Sequence, residues 1–155
     1  MLCIIGHLAL PDVSHLLPTL VVVAGIGQLA LIVASTAIPF VLDWRTDLAK
    51  LRPLTRQMFW VYTGYIWCTN LSFGLISTFG PTLLLGGSPL ATAVTSFMAI
   101  YWGARLLIQF FVLDRSGAAN GALTRVAEKA LVSLFVYLTL VYTFAAVANW
   151  RGLGS

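Results

Sequence analysis

Arg105 is the residue most able to do chemistry, because of where it stands. It is the sole charge in the stretch 89–113, nine positions ahead of Asp114. If that stretch is a membrane helix ending near Asp114, a rise of about 1.5 Å per residue sets its backbone about 13 Å into the bilayer. Centring an arginine in a membrane costs roughly 2.5–3.5 kcal/mol on insertion scales, so such a residue faces protein or water and has a partner. One reading is structural: a snorkelling or packing arginine that fixes helix register. The other is a site for an anionic lipid head group, a quinone or a pigment carbonyl. No second intramembrane charge accompanies Arg105, which argues against a transport path.

The neighbours of Arg105 fall into two semi-polar stripes. Thr95, Met98, Trp102, Arg105 and Gln109 recur at three- and four-residue steps, the spacing of one helix face. Trp60, Thr63, Trp67 and Asn70 form a similar stripe earlier in the chain. In an antiparallel pair Trp67 comes near the depth of Arg105, so a cation–π contact to Trp67 or Trp102 is geometrically available. Tryptophan usually gathers at membrane interfaces, as Trp44, Trp60 and Trp150 do here. Trp67 and Trp102 lie deeper, where they pack or face flat apolar ligands such as carotenoids, quinones or chlorophylls. The candidate ligand-binding set is therefore Arg105, Trp102, Trp67, Asn70 and Gln109.

Other chemistries lack their residues. His7 and His15 are the two histidines, both in the N-terminal segment, so a haem clamped by transmembrane histidines is excluded. With Asp12 they supply too few ligands for a metal. The acids Asp12, Asp43, Asp47, Asp114 and Glu128 all fall at or near a membrane edge, and no nucleophile–base pair accompanies them. No catalytic residue is read, and enzymatic activity is not expected. Cys3 and Cys68 fall in different settings, without a C-x-x-C spacing, and read as apolar filler.

The elements that position these residues follow from composition. Hydrophobic residues make up 59% of the 155 and charged residues 9%. A soluble domain carries about a quarter of its residues as charges, so lipid is the remaining solvent. A bilayer core of about 30 Å takes about 20 apolar residues in a helix. Four runs qualify, over roughly 16–42, 58–85, 89–113 and 126–150. None shows the period-two alternation of a barrel strand. The expected fold is an all-α integral membrane protein, a single four-transmembrane-helix bundle. Ser88 and Pro89 suit the cap and first turn of the third helix, and Pro39 is expected to kink the first near its end. Residues 115–121 read as a small-residue loop. No cleaved signal peptide is expected, because the N-terminal segment lacks a basic n-region.

Positive charge sets the orientation. Arg45, Lys50, Arg52 and Arg56 lie between the first two helices; Arg115, Arg125 and Lys129 lie around the last connection. The remaining connection and the N-terminal segment have neither Lys nor Arg, and Arg151 alone opposes the pattern. Both termini are expected outside, with the basic loops in the cytoplasm. The net charge of +4 is thus a topology signal, and no basic stripe presents itself to nucleic acid. Trp44, Leu48 and Leu51 at helical spacing predict a short interfacial helix in the first cytoplasmic loop, ended by Pro53.

Small residues predict close packing: Gly27, Ala30, Ala34 and Ala37 on the first helix, and Thr92, Ser96, Ala99 and Gly103 on the third. Either face serves the internal bundle or another membrane subunit. The segments Leu42-Asp43-Trp44-Arg45, Arg52-Pro53-Leu54-Thr55-Arg56-Gln57 and Trp102-Gly103-Ala104-Arg105-Leu106, with Gln109-Phe110-Phe111, resemble small four-helix bacterial inner-membrane proteins without a known activity. The resemblance implies a bacterial setting and carries over no functional residue. The expected function is an accessory or structural subunit of a larger bacterial membrane complex, partnered by other integral membrane subunits and contacting a lipid, quinone or pigment. The alternatives are a small homo-oligomeric transporter or channel with Arg105 on an anion path, and a lipid- or quinone-handling enzyme.

Overall fold

A computed structural model describes residues 11–41, 43–111 and 122–152. The described residues are helical, with no strand among them: α1 (Pro11–Val41), α2 (Trp44–Ala49), α3 (Pro53–Phe79), α4 (Pro81–Leu84), α5 (Pro89–Phe111) and α6 (Ala122–Trp150). Residues 115–121, Asp114, His7 and Cys3 lie outside the described residues. Three stretches are long and apolar enough to cross a membrane: His15–Phe40 in α1, α5, and Val126–Trp150 in α6. Only 22 to 28% of their most apolar windows is buried inside the chain, so most of their apolar surface is left uncovered by the chain itself.

The helix boundaries differ in places from the hydropathy reading, for reasons visible in the backbone. α3 starts at Pro53, five residues before the apolar run, because proline at the first helical position needs no hydrogen-bond partner for its nitrogen. The expected second helix does not continue to residue 85. It stops at Phe79; Gly80 takes φ −129° and ψ 44°, and Pro81 opens the single turn of α4. Proline disfavours helical geometry in the residue before it and offers no N–H to the preceding turn. α1 in turn runs through both Pro18 and Pro39. Ser88 caps α5 as expected, its Oγ accepting from the Ala91 N–H at 3.1 Å.

α1 packs along α3 and α5 along α6, and contacts between α1 and α6 join the two pairs. The α3 and α5 backbones hardly approach each other; there Phe73 reaches across to Phe97 and Tyr101, with ring centroids 5.9 and 5.4 Å apart. Among the described glycines, the tightest approach to a neighbouring helix is at Gly25. A Cβ there would lie 2.7 Å from the Thr78 backbone nitrogen and 2.9 Å from the Gly74 carbonyl oxygen of α3. Gly27 turns instead to α6, where a Cβ would meet Leu134 Cδ1 at 3.0 Å. The two small-residue faces separate accordingly. Ala99 packs on the core and Gly103 faces Thr139 of α6, so the α5 face is internal. Ala30, Ala34 and Ala37 of α1 are exposed.

The core fills one half of the bundle. Buried residues run from Leu17 to Gln28 on α1, Asn70 to Ser77 on α3, Ala91 to Trp102 on α5, and Phe135 to Asn149 on α6. Leu84 and Leu85 close that end. Beyond the level of Gln28, Asn70, Trp102 and Phe135, toward α2, no described residue of these four helices is fully buried.

Candidate functional site

Two polar layers tie the closed half together. In the first, Gln28 Nε2 of α1 donates to the Tyr142 hydroxyl of α6, which also pairs with Ser77 Oγ of α3 at 2.6 Å. All three side chains are buried, and the hydroxyl is the hub through which three helices share hydrogen bonds. In the second, Asn149 near the end of α6 donates from Nδ2 to the Leu84 carbonyl at 2.7 Å and accepts at Oδ1 from the Gly87 N–H at 3.0 Å. It satisfies backbone groups freed where α4 ends. Tyr137 adds a third tie, donating to the Leu20 carbonyl at 3.0 Å. Groups left unpaired in an apolar environment cost more than in water, which is why these tyrosines and asparagine find partners across helices.

The boundary level is differently made. Trp102 is fully buried, its ring 5.4 Å from Phe135 at a 36° tilt and 5.4 Å from Tyr101 edge-on. One turn further along α5, the Arg105 guanidinium lies 5.7 Å from the Phe135 ring centroid, within range of a cation–π interaction. The structure therefore gives Arg105 a phenylalanine on α6, whereas the sequence offered Trp67 or Trp102. No carboxylate among the described residues pairs with it; an ion pair lies instead on the exposed α2 turn, Lys50–Asp47 at 2.9 Å. Asp47 holds the Lys50 ammonium pKa above its ordinary value through that hydrogen bond.

The predicted α5 stripe faces inward. Thr95, Met98 and Trp102 are buried and Arg105 and Gln109 half-buried. On α3 the stripe turns inward only as it climbs: Trp60 is exposed, Thr63 and Trp67 half-buried, Asn70 buried. Asn70 comes within hydrogen-bonding reach of the Tyr101 hydroxyl; apart from that approach, the enclosed Asn70 Oδ1, Tyr101 Oη and Trp102 Nε1 have no hydrogen-bond partner. Asn70, Trp102 and Arg105 thus belong to one layer. Trp67 makes no ring contact among the described residues and stays outside it. Tyr101 and Phe135 complete the layer and were not singled out in the sequence. Tyr101 stands three positions after Met98 and four before Arg105, so the same spacing that picked out Trp102 could have found it; Phe135 is one aromatic among many.

This arrangement offers two hydrogen-bond donors, Tyr101 O–H and Trp102 N–H, one acceptor, Asn70 Oδ1, and a cation one turn away. It can orient a polar group carried by an apolar molecule. It holds no nucleophile–base pair, and no group of three metal-ligating side chains occurs among the described residues. No family model, no curated protein and no solved structure matches the chain.

Proposed function

We propose that the protein is a four-span accessory subunit of a larger complex in a bacterial inner membrane, with both termini outside and its α2 end in the cytoplasm. The observation that carries this reading is the level at which burial stops. A bundle that completed itself would bury side chains along its whole length. Among the described residues, α1 beyond Gln28 and α3 before Asn70 bury none, and α1 leaves Ala30, Ala34 and Ala37 exposed there. In lipid, small-residue faces let another helix approach closely, and packing rather than apolar burial drives association.

The chain's course supports counting α3 as the fourth span. α1 leads to α2 at one end, while α4 lies against α1 at the other, and Asn149 of α6 holds the link from α4 toward α5. α3 must carry the chain back across the thickness that α1 crosses. Its hydroxyls suit an apolar setting because they bond to their own helix: Thr63 to the Phe59 carbonyl at 2.8 Å, Ser72 to Cys68 at 2.9 Å and Thr78 to Gly74 at 2.7 Å. Arg45, Lys50, Arg52 and Arg56 around α2 support the orientation.

A second component of the reading concerns the boundary layer. Its enclosed Asn70, Tyr101 and Trp102 polar atoms and the cation of Arg105 support contact with the head of a lipid, quinone or pigment, admitted where α3 and α5 part. To test the subunit reading, a photoreactive residue is placed at Ala34, and in a second variant at exposed Leu90 in the closed half. Illumination of native membranes is expected to yield one protein adduct of defined mass from position 34 and none from position 90. Adducts to lipid alone at both positions contradict the proposal.

A further inference from the structure

The basic end of the molecule holds a cavity that none of the above uses. It has a volume of about 530 Å³ and lies between α2 and the first turns of α3, lined by Arg45, Leu48, Arg56 and Trp60. A second hollow of about 460 Å³ shares Arg45 and Trp60 with it and continues past Trp44 to Pro39 and Phe40. Side by side they make a groove with a cationic head and a mainly apolar tail that also carries Asp43, and Phe40 at the tail is 85% exposed.

Neither Arg45 nor Arg56 has an ion-pair partner among the described residues. Arg56 and Arg52 also crowd the N-terminus of α3, which has no acidic residue in its first turn and no side-chain cap. Helix N-termini carry partial positive charge, so two arginines there are electrostatically unfavourable until an anion joins them. Asp43 lines the second hollow and keeps the anion at the Arg45–Arg56 end. Depth is set by an aromatic cluster: Trp44 to Phe59 at 5.0 Å, Trp44 to Trp60 at 6.4 Å and Phe59 to Trp60 at 6.0 Å. Such clusters sit at the headgroup level of a bilayer. Guanidinium groups bind phosphate oxygens in a planar, two-point geometry.

We propose that this groove is a binding site for one anionic phospholipid, its phosphodiester held between Arg45 and Arg56 and an acyl chain laid past Trp60 and Phe40. The site rests on the membrane reading of the helices and not on the subunit proposal, so its test uses the purified chain alone.

Purified protein in neutral detergent is offered phosphatidylglycerol or phosphatidylcholine with identical acyl chains, and bound lipid is counted by native mass spectrometry. A separate arm offers inorganic phosphate. Wild type is expected to retain one phosphatidylglycerol in preference to phosphatidylcholine. Arg45→Gln/Arg56→Gln is expected to weaken that retention about tenfold, given the usual strength of lipid-facing basic residues. Lys50→Gln, which removes a charge already paired with Asp47, is expected to leave it within about twofold. Equal retention of the two lipids by wild type overturns the proposal, and does so without any variant needing to fold. So does an equal loss in Lys50→Gln, which would mean diffuse charge, or phosphate bound as tightly as the lipid, which would mean a free-anion site.

Discussion

Tyr142 ties three helices together through one atom, because its hydroxyl is shared by Gln28 of α1 and Ser77 of α3. Tyr142→Phe keeps the ring and strands both partners in a dry interior. Interhelical hydrogen bonds in membrane proteins average about 0.6 kcal/mol and reach about 1.7, so losing two is expected to cost about 1–3 kcal/mol. Reversible unfolding in mixed micelles measures this; a variant as stable as wild type would show that the hydroxyl is dispensable. Arg105 is the converse case. Its position inside an uncharged run made it legible in the sequence, as did the three- and four-step stripe through Trp102. Its partner was not legible, since Phe135 is one phenylalanine among nine. The Gln28–Tyr142–Ser77 triad was equally hidden: each member lies on a different helix, and no spacing within one helix announces a contact between three.

At the scale of elements, the helices themselves were legible because lipid demands long apolar runs, and Ser88-Pro89 marked the start of α5. The break at Gly80-Pro81 was missed because hydropathy is continuous across it, while the backbone is not. Small residues were also legible as packing surfaces, but not their destinations. The face through Gly27, Ala30, Ala34 and Ala37 looked like one surface. Gly27 instead meets α6, and Gly25, off that face, makes the close approach to α3. This yields a graded expectation. At Gly25 an added methyl meets α3 backbone, which cannot yield locally. At Gly74 it meets the end of the Leu29 side chain, at 2.8 Å from Cδ2, which can rotate. Gly25→Ala is therefore expected to destabilise by about 1–3 kcal/mol, the usual range for overpacking, and Gly74→Ala by less. Thermal unfolding of the two variants in the same detergent checks the order. A larger loss at Gly74 would place the tight contact elsewhere.

For the whole molecule, the core and the charges occupy opposite ends. The half near α4 has a continuous core crossed by hydrogen bonds; the half near α2 has half-buried and exposed helix faces, Arg105 against Phe135 at its threshold and a basic, aromatic rim. The overall class, all-helical with helices long and apolar enough to cross a membrane, was readable from composition and the length of the apolar runs. The half-filled core was not, because the same apolar residues line a packed interior and a lipid-facing surface. That asymmetry is the basis for proposing a subunit whose open half is completed by a neighbour. The most direct test is to extract the protein from its native membrane in mild detergent and measure particle mass together with co-purifying proteins. The account predicts a particle much heavier than the 16.8 kDa chain in its micelle, with integral membrane partners in fixed stoichiometry. A monomer associated with nothing would contradict it.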